Sequence, residues 1–115
     1  MLATTGVAAE RTRLQYEDYL AAPEDGRRYE IVDGELFVSP SPFIPHQTAV
    51  GNLHLALALY CKTTGAGRVF VAPTALNPSL EDVVEPDLIY IAKGRADAIA
   101  PDLSRVVSAP DLVVE

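Results

Sequence analysis

Arg28-Tyr29-Glu30-Ile31-Val32-Asp33-Gly34-Glu35-Leu36-Phe37-Val38 decides how the rest of this sequence is read. Side chains alternate across an extended strand, so Tyr29 and Ile31 fall on one face and Glu30 and Val32 on the other. Asp33-Gly34 follows, a dipeptide suited to the two positive-φ positions of a tight hairpin turn. Glu35 to Val38 then supplies the returning strand. The stretch predicts a β-hairpin with one apolar face. Such a face needs a covering layer, so the flanking sequence must provide one.

Upstream, Thr12 precedes Leu14, Tyr16, Tyr19 and Leu20, with Gln15 three residues on, which predicts a short helix opened by a capping box and closed before Pro23. Residues 1–11 are small and weakly patterned and are expected to form a mobile tail, leaving 12–115 as the folded unit. Residues 23–27 read as a loop. Downstream, the proline-rich segment Ser41 to Pro45 leads into a helix reaching about Thr64. Val50, Leu53, Leu57 and Tyr60 repeat at helical spacing, and Gly65 stands where a C-terminal cap belongs. Prolines 42 and 45 are tolerated before or within the first turn, where no intrahelical N–H bond is lost.

Strand signals follow at Arg68 to Val71, at Thr74 to Asn77 and, after a turn at Pro78 to Asp82, along Val84 to Ile91. In the last run Leu88 to Ile91 are apolar on both faces, which marks a central strand. Residues 92–99 read as a short helix or turn and 100–109 as a loop. Asp111 to Glu115 begins another strand. The order helix, hairpin, long helix, strands gives an α/β fold, a mixed sheet flanked by helices. Because the sequence ends on the apolar run Leu112-Val113-Val114-Glu115, that fold is expected to be incomplete at its C-terminal side.

The chain has 115 residues, 49% of them hydrophobic, and a formal net charge of −7. One domain with a real core fits that size. A protein that coats nucleic acid passively is basic, so this acidity excludes a simple DNA-binding module. It does not exclude a metal-dependent nuclease, whose carboxylates add negative charge and whose cation restores positive charge locally. The lone Cys61, inside an apolar helical stretch, reads as a buried structural thiol. No run reaches the ~18 apolar residues of a membrane span, and the N-terminus has no signal-peptide pattern, so a cytoplasmic protein is expected. Nucleotide loops, the zinc helix HExxH and the GxSxG elbow are absent.

Asp87, after Pro86, and Glu115 are the carboxylates that most invite chemistry. Hard divalent cations take oxygen ligands, and neighbouring strands fix such ligands in direction. The spacing alone also fits a strand-entry Asp87 and an unremarkable Glu115. Glu35 reads as a solvated hairpin residue, the run Glu81, Asp82 and Glu85 as a solvated turn, and Asp111 as a residue opening a strand. His46, in the first turn of the long helix, reads either as a packing or capping residue or as a group near a metal or phosphate. His54 reads as a flank residue.

The ordered blocks YEDYL, RYEIVDGEL, the Ser-Pro loop leading to His46, VEPDLIYI and APDLVVE together resemble the Uma family of restriction endonucleases, within the PD-(D/E)xK superfamily. The resemblance runs from about Tyr16 to Glu115. It implies a restriction-endonuclease-like fold, DNA as substrate, and Mg²⁺ or Mn²⁺ held by Asp87 and Glu115, with Glu30 and His46 as further site residues. It also implies a lysine beyond the position of Glu115. Lys62 and Lys93 are the only lysines here, and neither stands in that position. An inactive remnant or interaction module on the same fold is therefore the alternative, and the edge strand at 111–115 makes a homodimer a further candidate.

Overall fold

The computed structural model describes residues 13–115. The tail expected at 1–11, and Thr12 with its capping role, lie outside the described residues. Helix α1 spans Tyr16–Leu20, and Gln15 stands at its N-cap, its backbone N–H donating to Asp18 Oδ2 at 2.9 Å. The rings of Tyr16 and Tyr19 stack at 5.7 Å and pack on Ile31, Ala75 and Val83.

The hairpin forms as its sequence dictates. Strand β1, Arg28–Val32, pairs antiparallel with β2, Glu35–Ser39, in the register Val32↔Glu35 through Arg28↔Ser39. Asp33 and Gly34 both take positive φ, 53° and 78°, the paired left-handed conformation of a two-residue hairpin turn. Tyr29 and Ile31 are buried on one face. Gly34 N–H donates to Glu81 O at 2.9 Å, tying this turn to a second turn at Leu80-Glu81.

Those strands depart from the sequence reading in one consequential way. Val84 to Ile91 is two strands rather than one. Strand β4 spans Leu76–Ser79, β5 spans Asp82–Val84, and β6 spans Leu88–Ala92. Pro86 has no N–H to place in a ladder. Glu85 N–H donates instead to Glu30 Oε2 at 2.7 Å. The chain therefore leaves one sheet at Val84 and enters another at Leu88. The first sheet has the order β2-β1-β5-β4; the second runs β3-β6-β7, with β3 at Gly67–Val71 and β7 at Leu112–Val114. The named strands pair antiparallel throughout. Strand β4 starts two residues later than the sequence suggests, and the turn after it tightens to Leu80-Glu81 because Ser79 pairs with Asp82.

As expected, β6 is central, between β3 and β7, with Leu88, Ile89 and Ile91 buried. Ile89 and Ile91 join Leu76, Ala98 and Val106 in one core cluster. Val106 bridges both Leu76 and Ile99, so the loop after the short 3-10 turn Ala96–Ala98 closes this core.

Helix α2 runs Ile44–Thr64 with Pro45 in its first turn, and Gly65 caps it at φ 71°, its N–H reaching Cys61 O at 2.8 Å. It packs on β3. The stripe at helical spacing is not a buried face: Leu53 is 39% and Tyr60 55% exposed, and Cys61 is the buried residue, as anticipated. Apolar residues lie all round this helix, so covering one side leaves Leu55 and Leu59 open.

Candidate functional site

The hairpin and the β6–β7 pair meet where Arg28 opens β1 and the chain crosses from β5 to β6. The register Leu88↔Val114 places Asp87 and Glu115 together, each one residue beyond a paired position at the same end of the ladder. Among the described residues Asp87 is the buried charge, its side chain 4% exposed. A carboxylate taken from water needs partners. It has two. Arg28 Nη2 donates to Asp87 Oδ1 at 2.9 Å, and His46 Nε2 approaches the same oxygen at 3.1 Å from the first turn of α2. Burial acts to raise the Asp87 carboxyl, but the Arg28 and His46 hydrogen bonds outweigh it and hold the group below its ordinary value.

Arg28 also faces Glu115 Oε1 at 3.8 Å and Glu85 Oε1 at 3.9 Å. Glu85 accepts a short hydrogen bond from Tyr19 Oη, and this bond together with burial, the larger cause, raises the Tyr19 hydroxyl. Glu30, through its bond to Glu85 N–H, holds the crossover in place. Glu115, its side chain still 62% exposed, is pushed the opposite way from Asp87: the partial burial it has is the main cause, repulsion from Glu30 follows, and the attraction of Arg28 only partly offsets them. Asp87, Glu115, Glu30 and His46 are thus brought into one cluster. A cleft of about 670 Å³, lined among others by Tyr19, Arg28, Gln47, Glu85 and Asp87, opens beside it.

Two members were not foreseen. Glu85 is no solvated turn residue: its side chain is 15% exposed and faces Arg28. Arg28 shares the strand face of Glu30, two residues away, and that alternation was the signal that could have found it. Glu81 instead pairs with Arg13, and Glu35 is exposed as expected. Asp111 sits at the other end of β7, accepting from Ala92 N–H at 2.7 Å and Arg95 Nη1 at 3.0 Å, which fixes it as a strand-opening lock. His54 is half-buried on α2, while Lys62 and Lys93 are exposed and make no ion pair among the described residues.

The donor chemistry fits a hard cation. Carboxylate oxygens gather on one guanidinium, both bonds to Asp87 fall on Oδ1 and leave its other oxygen out of them, and Glu115 suffers repulsion that added positive charge would relieve. Among the described residues no three of His, Cys, Asp and Glu already stand at metal-holding distance, and Arg28 lies between Asp87 and Glu115. The family model Uma2, "Putative restriction endonuclease", matches residues 16–115. A search of curated proteins finds no match.

Proposed function

The chain belongs to the Uma2 restriction-endonuclease family, and from that premise we propose that it hydrolyses DNA phosphodiester bonds in the cytoplasm with Mg²⁺ or Mn²⁺ at Asp87 and Glu115. The gathering of Asp87 and Glu115 on Arg28, at one end of the β6–β7 ladder, is the observation that carries this reading. When bound, the cation supplies the charge that activates water and offsets charge on the phosphate. The remaining work belongs to the chain. His46 orients Asp87, Glu30 keeps the Glu85 crossover fixed, and the cleft beside them admits the substrate. A chain of net charge −7 repels DNA, so a divalent ion serves approach as well as hydrolysis. The open edge of β7 is where a second copy would pair; sedimentation at increasing concentration tests that.

Plasmid cleavage by the full chain tests the main reading. Nicking is expected with Mg²⁺ or Mn²⁺, is abolished by EDTA, and falls by about 100-fold or more in Asp87→Asn, the scale set by loss of one charge-stabilising group at a reacting centre. Cleavage that survives EDTA, or a folded chain that never cleaves, overturns it. The second outcome favours the other reading, an inactive remnant or interaction module on the same fold.

A further inference from the structure

Arg28 bridges three carboxylates, Asp87 at 2.9 Å, Glu115 at 3.8 Å and Glu85 at 3.9 Å, and no other cation among the described residues does so. It is delivered from the first position of a paired strand, beside the buried Tyr29, so its placement is not that of a wandering surface arginine. A guanidinium stays charged at any pH at which proteins fold. Its charge can leave Asp87 only by moving.

A divalent cation seeks the same oxygens. Like charges a few ångströms apart repel strongly in a half-buried site. The carboxylates of Glu30, Glu85, Asp87 and Glu115 outnumber the one guanidinium, so the cluster retains negative charge for a second cation, which would have to share Asp87 with the guanidinium and be repelled by it. Glu85, which faces the stem-side Nε of Arg28 at 3.9 Å and is anchored by Tyr19, offers the guanidinium a carboxylate on which to close when it leaves Asp87.

We propose that Arg28 is a resident counter-cation that competes with the divalent metal for Asp87 and Glu115, so that metal entry requires displacement of its guanidinium toward Glu85. Arg28 is in this account a positioning residue: in the metal-free chain it holds the carboxylates together, and its departure sets the metal affinity. The inference rests on the metal-binding reading above.

The test is Mn²⁺ titration by calorimetry on the full wild-type chain, Arg28→Gln and Arg28→Lys, with melting curves in EDTA. Arg28→Gln is expected to bind Mn²⁺ on the order of tenfold or more tighter, since one repelling charge is gone, while melting lower without metal. Arg28→Lys, which keeps the charge but not the fork, is expected to bind as wild type does or somewhat tighter. A purely structural Arg28 predicts the opposite sign, because splayed ligands bind metal more weakly. Equal or weaker binding by Arg28→Gln, with wild type binding normally, overturns this inference alone. Binding by Arg28→Gln but not by wild type upholds it in its strongest form. Binding by neither overturns it together with the metal-site reading. Should Arg28→Gln fail to fold, Arg28→Lys decides: binding tenfold weaker than wild type overturns the exchange.

Discussion

Asp87 is stabilised in its charged form against its own burial, and removing it strands its partner. In Asp87→Ala the Arg28 guanidinium, 20% exposed, loses its hydrogen-bonded anion, which costs roughly 2–4 kcal/mol on the scale of broken, largely buried ion pairs. Urea unfolding at neutral pH measures it. The folded-state value of Asp87 lies below the ordinary 3.8, so its contribution is complete above that value and is lost as pH falls through the lower folded one. The gap between wild type and Asp87→Ala therefore narrows only in strong acid. Glu115 has the reverse sign. Its folded value is raised above 4.5, so the folded state binds the proton more readily and stability falls as pH rises through that window. Glu115→Gln is expected to melt higher than wild type at neutral pH, with the difference vanishing below the ordinary carboxylate range. Asp87, Glu115, Glu30 and His46 were all legible as candidates, because their blocks carry the resemblance. Arg28 and Glu85 were not: an arginine at a strand entrance and a glutamate in an acidic run look solvent-facing until a pairing distant in sequence encloses them.

Among elements, the hairpin was readable from local chemistry alone, since Asp33-Gly34 specifies its own backbone. Gly34 holds φ 78°, and an added Cβ would meet the Arg13 side chain at 3.1 Å. Gly34→Ala is expected to cost about 1–2 kcal/mol, the usual penalty of a left-handed residue with a side chain, read from the urea midpoint. The break at Glu85-Pro86-Asp87 was not readable in the same way. Pro86, which has no N–H for a ladder, marks it locally, but the chain is held there by Glu30, 55 residues upstream, accepting the Glu85 N–H. That break puts Asp87 at a sheet junction instead of mid-strand, which is what lets Arg28 and His46 reach it. Ile89, fully buried in the central strand, anchors the far side of the junction. Ile89→Ala is expected to cost roughly 2–5 kcal/mol, transfer and cavity together.

At the scale of the whole molecule, two sheets share the core, and α2 lies on β3 with much of its apolar surface open. Periodicity in α2 gave its length and its cap but not its burial, because a helix apolar on every side carries no directional signal. Leu55, 67% exposed, is expected to tolerate Leu55→Gln within about 0.5 kcal/mol, whereas Ile89→Ala is not tolerated. No helix among the described residues is long and apolar enough to cross a membrane. The central claim is that a divalent cation binds where Asp87 and Glu115 converge, and calorimetric titration of Mn²⁺ into wild type and Asp87→Ala tests it most directly. Saturable binding by wild type, absent in a variant that still gives a folded circular-dichroism spectrum, is the predicted result. Folded wild-type and Arg28→Gln chains that both take up no Mn²⁺, or an Asp87→Ala chain that binds it as well as wild type, would contradict the account.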